Sequence, residues 1–202
     1  MIRTLTAIAA ASLMSEACRS QVGKADPEDC TPVSAALPAT ASAEGLAGEY
    51  RLKLVALAGP REGAVAEGKL WLLPQDSTRR YRARLGGNVD STVSHPLFGA
   101  ANLDLNAVDA VAVGRIDSRD PEKPGVLVIE RHARPGRTPL AEITLRLGSE
   151  ANRADRTRFD GGYTALRVRQ VSSHGFAGSW GSGLTVERSA GYFCATRTDG
   201  GK

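Results

Sequence analysis

Aromatic residues and long apolar runs are both scarce in this chain. Phe, Trp and Tyr make up only 5% of the 202 residues, so a buried core must consist mainly of Leu, Val and Ala. No run of about 18 apolar residues occurs in the sequence, which argues against a membrane-spanning helix. The formal charge is only +4, and the basic residues are spread along the chain. The composition therefore predicts one globular domain and argues against nucleic acid as a partner.

Catalytic and metal-binding motifs are missing as well. The three histidines, His95, His132 and His174, have no second His or Cys at the spacing of a zinc site. The sequence contains neither a Gly-x-Ser-x-Gly elbow nor a glycine-rich segment that ends in Gly-Lys-Ser/Thr. The three carboxylates in 117–122 lack the EF-hand spacing and are interpreted as part of a solvated loop. We therefore predict no catalytic residue, no metal site and no cofactor, in a protein that is not an enzyme.

Glycine, by contrast, is abundant, and much of the chain alternates between apolar and charged residues. The 22 glycines favour a turn-rich, all-β protein. Alternation is clear in LAGEYRLKLVAL, RRYRARL, AEITLRLG and YTALRVRQV, and a period of two is typical of half-buried strands. Further strand candidates are the apolar runs at 69–73, 111–116, 126–131, 184–188 and 191–197.

Eight or nine such strands predict a closed sheet. Consecutive antiparallel strands with one apolar face close most easily into a barrel, because closure removes the exposed edges. We therefore predict a single antiparallel up-and-down β-barrel of about eight strands at 45–199, with a two-sheet β-sandwich as the alternative. The arginines that alternate with apolar residues place charge on the outer face, which a lipid-facing barrel wall lacks. We expect membrane contact through a lipid anchor only.

The first residues follow the order of a signal peptide. Arg3 provides a basic start, 5–14 (LTAIAAASLM) is apolar, and Ser15-Glu16-Ala17 has small residues at the two positions that a signal peptidase reads. We predict a signal peptide at 1–17, with Cys18 as the first mature residue. This arrangement resembles the lipobox of bacterial lipoproteins, although Ser15 stands where that motif has Leu.

The resemblance implies a lipid anchor on Cys18. An ordinary secretory signal that ends at a cysteine is the alternative. In both cases the expected location is the bacterial cell envelope, as an outer-membrane lipoprotein or in the periplasm.

The pairing of the cysteines depends on whether Cys18 carries a lipid. An exported protein reaches an oxidising compartment, in which paired cysteines form disulfides, and three cysteines leave one over. If Cys18 carries a lipid, Cys30 and Cys194 remain as a pair. Cys18–Cys30 is the competing pairing.

The segment 18–44 has the composition of a linker. Its stretch TPVSAALPATASAEG contains Ala, Ser, Thr and Pro with almost no large apolar residue, so it buries too little surface to fold alone. We predict a flexible linker between the anchor and the barrel. A short helix or an ordered strap over the domain is the alternative.

Two short motifs resemble a known group of barrels. The stretch LAGEYRL at 46–52 is similar to the Gly-x-Trp opening of lipocalin-like barrels, with Tyr50 in place of the Trp. It is also similar to the opening of small periplasmic barrels that inhibit secreted bacterial metalloproteases. Gly178-Ser179-Trp180 is a second copy near the end of the chain. The resemblance implies a barrel in which the aromatic plugs the closed end and the glycine lets strands approach closely.

These observations lead us to expect a non-catalytic binding module, with a small apolar ligand inside the barrel if the barrel is wide enough. The apolar face that would line such a pocket consists of Tyr50, Leu52, Leu54, Leu70, Leu72, Tyr81, Ile143, Leu145, Val168 and Trp180. In a narrow barrel the same residues form only the core, and surface loops carry the function. The alternative is a protein–protein interaction or protease-inhibitor-like envelope protein that uses the arm at 18–44 and an exposed loop at 93–98. We expect a monomer.

Overall fold

Eight antiparallel strands form a closed up-and-down barrel in the computed structural model, which describes residues 30–38, 40–75, 91–133, 141–149, 163–183 and 187–198. The strands are β1 (Gly48–Ala58), β2 (Val65–Pro74), β3 (Ser91–Asn102), β4 (Val126–Ala133), β5 (Ala141–Leu147), β6 (Tyr163–Ser172), β7 (Gly175–Gly183) and β8 (Glu187–Arg197). Each strand pairs with the next, and β8 pairs with β1. The predicted eight-stranded barrel is confirmed, and the sandwich alternative is wrong.

Alternating side chains build the barrel interior, as β1 shows. Tyr50, Leu52 and Leu54 are at most 1% exposed, whereas Arg51 and Lys53 lie on the outer wall. The inward-facing residues of all eight strands contribute to the buried part of the barrel, and their large apolar side chains belong to one core cluster. Burying one Leu, Ile or Phe side chain contributes about 1.5–3 kcal/mol to folding. The period-two pattern therefore decides which face of each strand is buried.

Gly191 of β8 allows a side chain of β7 to contact β1 at the point where the barrel closes. Trp180 Nε1 donates a 3.1 Å hydrogen bond to the carbonyl oxygen of Val55, so the indole reaches from β7 to β1 across β8. A Cβ atom on Gly191 would overlap the same carbonyl oxygen and lie 2.8 Å from Trp180 Nε1. Only glycine leaves room for this contact between non-adjacent strands.

One of the strand predictions is wrong, and another is tested only in part. The apolar run at 111–116 is irregular chain between β3 and β4, because Val111 hydrogen-bonds to side chains at the barrel end instead of pairing in the sheet. In the run at 184–188, residues 187 and 188 belong to β8, and 184–186 lie outside the described residues.

The segment 93–98 is not an exposed loop. It lies in β3, where Leu97 is 1% exposed inside the barrel and Phe98 is half-buried. The strand accommodates Pro96 because the pairing with β4 shifts register between Ser94 and Leu97. The prediction of a loop at 93–98 is therefore wrong.

Residues 30–38 and 40–47, which we call the strap, cover the end of the barrel where β1 begins. The strap contains a short 3₁₀ helix, η1 (Ala43–Leu46). Leu37, Ala43 and Leu46 are at most 8% exposed and belong to the core cluster. The Ala43 amide donates a 3.1 Å hydrogen bond to Oε1 of Glu130, an inward-facing carboxylate of β4 that is 4% exposed. Within the segment predicted as a linker, Leu37 and Ala43 are packed against the barrel core.

A disulfide fastens the start of the strap to the outer side of β8. Cys30 is bonded to Cys194, and their Cα atoms are 5.4 Å apart. The predicted Cys30–Cys194 disulfide is confirmed, so Cys30 is not paired with Cys18. The bond closes a loop with a sequence separation of 164 residues.

Residues 103–125, which we call the lid, cover the opposite end. The lid contains a second 3₁₀ helix, η2 (Leu105–Val108), whose start is capped by Asp104. Leu103, Val108 and Ala110 are at most 8% exposed and join the core cluster. Both ends of the barrel are therefore covered by chain outside the sheet.

The predicted signal peptide at 1–17, the proposed anchor Cys18 and the strand candidate RRYRARL with Tyr81 lie outside the described residues. In the part of the chain that is described, no helix has the length and apolar character needed to cross a membrane.

Candidate functional site

The residues predicted to line a pocket meet inside the barrel. Nine of the ten lie in the described chain, and each is at most 4% exposed and part of the core cluster: Tyr50, Leu52, Leu54, Leu70, Leu72, Ile143, Leu145, Val168 and Trp180. The tenth, Tyr81, lies outside the described residues. The structure thus places these side chains together as a packed core. Their role in binding a ligand stays a prediction.

An aromatic group and an arginine close the strap end. Tyr50 Oη donates a 3.0 Å hydrogen bond to the Leu46 carbonyl of η1 and accepts a 2.8 Å hydrogen bond from Arg197 Nη2. The Arg197 guanidinium lies 5.0 Å from the centre of the Tyr50 ring, and Phe176 packs edge-on against the same ring. Tyr50 therefore lies at the strap end of the barrel, between η1 and Arg197.

Hydroxyl groups close the lid end. The Val111 amide donates a 2.8 Å hydrogen bond to Ser182 Oγ, and Thr164 Oγ1 donates a 2.8 Å hydrogen bond to the Val111 carbonyl. Ser189 Oγ lies 3.0 Å from Oδ2 of Asp109. Thr164, Ser182 and Ser189 face inward and are at most 1% exposed. Among the described residues, the lid and the strap therefore lie between solvent and the barrel interior at its two ends.

A groove on the outer wall is open to solvent without movement of the lid or the strap. It crosses the outer faces of β4, β5 and β6 and has a volume of about 130 Å³. Its lining consists of Ile129, Arg131, Glu142, Thr144, Arg146, Tyr163, Ala165 and Arg167. These residues are sequence neighbours only within each strand, and the sheet brings the three sets together.

The cross-strand register explains why a depression forms here. Ile129 lies opposite Thr144, and Thr144 lies opposite Arg167, while Arg146 lies opposite Ala165. The short side chains of Thr144 and Ala165 leave space between long arginine side chains. The groove is therefore a shallow floor of small and apolar groups bordered by guanidinium groups.

The groove is positively charged. Its lining contains three arginines and one glutamate, which gives a formal charge of +2. Glu142 Oε2 accepts a 3.2 Å hydrogen bond from Arg131 Nη1, and both side chains are about half exposed. Because guanidinium groups stay protonated at all ordinary pH values, this charge persists across the physiological range.

One donor in the groove has no acceptor in the part of the chain that the structure describes. Arg131 Nε is buried, and among the described residues it has no hydrogen-bond partner. Arg115 shows what the same edge of a guanidinium group does when an oxyanion is present, because its Nε and Nη2 each donate a 2.9 Å hydrogen bond to Asp117. A buried N–H without an acceptor is unfavourable, so Arg131 is arranged to gain from an oxyanion.

Arg146 is positioned by an aromatic ring and affects a nearby histidine. Its guanidinium carbon lies 5.0 Å from the centre of the Tyr163 ring, a cation–π contact with a neutral group that leaves its positive charge in place. Burial lowers the pKa of His95 below its ordinary value of 6.5, and the charge of Arg146 lowers it further, while a hydrogen bond with the Val128 backbone opposes both effects. The charge of Arg146 therefore acts on His95 in β3, beyond the three strands that form the groove.

The groove has the chemistry to bind an oxyanion. Guanidinium groups bind oxyanions but do not accept or release protons near neutral pH. Among the described residues, no group of three or more His, Cys, Asp or Glu side chains is placed to hold a metal ion. The arrangement is suited to hold an anion against the barrel wall.

Sequence reasoning identified the strands of this groove but not the groove. Glu142, Thr144 and Arg146 were recognisable as the polar face of AEITLRLG, and Arg167 as the polar face of YTALRVRQV. Arginines that repeat with a period of two on successive strand candidates are the signal that was present. Which arginines become neighbours depends on the register between strands, which one sequence does not contain.

Comparison of the chain with protein-family models, with curated proteins and with solved structures finds no match. The relation to lipocalin-like barrels therefore stays a prediction that rests on the two short motifs.

Proposed function

We propose that this protein is a non-catalytic binding module of the bacterial cell envelope, and that it binds an anionic ligand on its outer wall. The observation that carries the proposal is the groove across β4, β5 and β6, with a formal charge of +2 on its lining. The groove is accessible in the structure as it stands. The interior is packed, and chain covers it at both ends.

The disulfide supports an envelope location. Disulfides persist in oxidising compartments, such as the periplasm, and are rare in the cytosol. A lipid on Cys18 would leave residues 19–29 as a tether between the membrane and the Cys30–Cys194 bond. Such a tether would hold the barrel close to the membrane while its wall remains accessible.

A small apolar ligand in the interior is the second candidate. The observation that favours it is the way the lid is attached, because Thr164, Ser182 and Ser189 hold it to the barrel rim by hydrogen bonds. Opening the lid would expose leucine side chains such as Leu147. A protease-inhibitor-like arm would have to lie before Cys30, because the chain from there on is fastened to the barrel.

The test is anion binding by the full-length protein and two variants. Arg146→Gln removes one positive charge from the groove, and Arg51→Gln removes the same charge from the exposed outer wall of β1. We expect sodium phosphate, sulfate and citrate, at constant ionic strength, to raise the melting temperature of the wild type and of the Arg51→Gln control. The rise should be largely lost in Arg146→Gln. Equal rises in all three proteins would contradict the proposal.

A further inference from the structure

We infer that the anionic part of the ligand is a phosphate monoester, held between Arg131 and Arg146. This inference rests on the proposed function and names the ligand class of the same groove. A phosphate monoester carries a charge of about −1.5 to −2 near neutral pH and presents three acceptor oxygens. A carboxylate or a sulfate ester carries only −1.

The charge of the groove matches a dianion better than a monoanion. The lining keeps a formal charge of +2 after Glu142 is counted against the three arginines. Glu142 engages Arg131 only through Nη1, at 3.2 Å. Arg131 therefore has its charge partly balanced, while its Nε donor still lacks an acceptor among the described residues.

Arg131 lies opposite Glu142, and Arg146 follows Glu142 by four residues on the same face of β5. The two arginines therefore border the groove on either side of Thr144. Arg115 binds both oxygens of one carboxylate through Nε and Nη2. Arg131 Nε is buried as the side chain stands, but the side chain is 43% exposed, so its end can turn to offer the same edge to a ligand. One phosphate oxygen can then accept from Arg131 while another accepts from Arg146 across Thr144.

The size and floor of the groove limit the rest of the ligand. A volume of about 130 Å³ equals that of about four water molecules at ~30 Å³ each, which is enough for a phosphate group and a small part of its ester. Tyr163, Ile129 and Ala165 supply an apolar border on which that ester carbon can rest. The remainder of the ligand must extend away from the wall.

Two kinds of molecule in a cell envelope carry a phosphate monoester. One is the headgroup of a lipid that ends in a phosphate monoester, and the other is a soluble phosphorylated metabolite. Both place the same group on the same arginines. They differ in whether a membrane surface is needed.

The first test compares two probes of equal shape and unequal charge. Methyl phosphate and methyl sulfate are both tetrahedral, and the Nε–H signal of Arg131 in a ¹⁵N NMR titration reports binding of either. That signal is assigned by its loss in Arg131→Lys. We expect methyl phosphate to bind about tenfold more tightly than methyl sulfate at pH 7.5, because one more unit of charge acts on the guanidinium groups at close range. Arg146→Gln should remove most of this preference, and Arg51→Gln should keep it.

The outcomes separate the inference from the proposed function. Equal affinity for the two probes would overturn the phosphate inference and leave an anion-binding groove. No shift of the Arg131 signal with either probe, in a protein whose circular dichroism and melting temperature are normal, would overturn both.

The second test identifies the source. Phosphatidylcholine vesicles that contain phosphatidic acid are compared with vesicles that contain phosphatidylglycerol, matched for surface charge. Binding to the former alone, lost in Arg146→Gln, supports a lipid headgroup. Binding of methyl phosphate without binding to either vesicle supports a soluble phosphate ester. Equal binding to both vesicles that persists in Arg146→Gln would overturn the lipid source, because it would require only a general attraction to negative surfaces.

Discussion

The strap end of the barrel is closed by a covalent bond and a buried aromatic–arginine contact, whereas hydroxyl groups hydrogen-bonded to one loop close the lid end. At the strap end, Cys30 is bonded to Cys194, and Tyr50 lies between Leu46 and Arg197. At the lid end, Val111 and Asp109 make polar contacts with the barrel rim. Backbone hydrogen bonds from Ala101, Gly148 and Ser149 to carbonyl groups of the lid add to these contacts. A hydrogen bond contributes about 0.5–1.5 kcal/mol net, and a disulfide that closes a long loop contributes several times more.

The comparison teaches that one end is fastened by a covalent bond, whereas the other is held by non-covalent contacts and can open without breaking any covalent bond. Each end has one amide that reports its state. The Ala43 amide is hydrogen-bonded to Glu130 at the strap end, and the Val111 amide is hydrogen-bonded to Ser182 at the lid end. Hydrogen exchange at these two amides measures opening of each end separately.

Removing the disulfide should have the largest effect. In the double variant Cys30→Ser/Cys194→Ser we expect the free energy of unfolding to fall by about 4–5 kcal/mol, because a loop with a sequence separation of 164 is no longer closed. Urea denaturation gives this value, and exchange of the Ala43 amide should accelerate more than that of the Val111 amide. Cys18→Ser, which leaves the Cys30–Cys194 bond in place, is the control. A loss below about 1 kcal/mol would show that packing of the strap, and not the bond, closes this end.

Removing one hydroxyl at the lid should have an intermediate effect. Thr164→Val keeps the shape of the side chain but removes the donor to the Val111 carbonyl, which should lower the free energy of unfolding by about 1–2 kcal/mol. Exchange of the Val111 amide should accelerate while that of Ala43 stays unchanged. The same variant tests the second candidate function, because an opened lid should increase fluorescence of an apolar dye that enters the barrel. Equal acceleration at both amides would mean that the two ends open together.

A change of pH should have the smallest effect on stability. It should act through the barrel wall rather than through the strap or the lid. The folded-state pKa of His95 is lowered, mainly by burial, so the unfolded chain binds the proton more readily. The stabilisation from neutral His95 is therefore complete above pH ~6.5 and is lost as the pH falls toward the lowered folded-state pKa. Melting temperatures measured between pH 7.5 and 5 should fall less in His95→Gln than in the wild type. If both proteins show the same pH profile, His95 is not the group responsible.

The strands with clean alternation were predictable from the sequence. β3 and β7 lack this alternation and were not predicted. β1, β5 and β6 follow from the period-two pattern because one face of each is buried and the other is wet. β7 (Gly175–Gly183) reads as a turn-rich segment, yet its composition has a tertiary cause. A Cβ atom on Gly178 would overlap the carbonyl oxygen of Arg167 in β6. Glycine is required there because the neighbouring strand is too close for a Cβ atom. Local β propensity does not contain this information.

The site was less predictable than the fold. Nine of the ten predicted inner residues lie on one buried face, and the tenth, Tyr81, lies outside the described residues. An apolar face alone does not distinguish a pocket from a core. The groove depends on which side chains of β4, β5 and β6 stand opposite each other, such as Thr144 beside Ile129 and Arg167. Only the register supplies that information.

The position of the disulfide also determines how the barrel would carry a mechanical load. If the chain is anchored at Cys18, a pull between the membrane and the barrel acts along residues 19–29 and reaches Cys30 first. The bond to Cys194 passes that force directly into β8, which is paired on both sides by β7 and β1. The force therefore does not pass through residues 31–47, and it does not pull the first residues of β1 away from the sheet. The tether can therefore be stretched without unfastening the strap that covers the barrel.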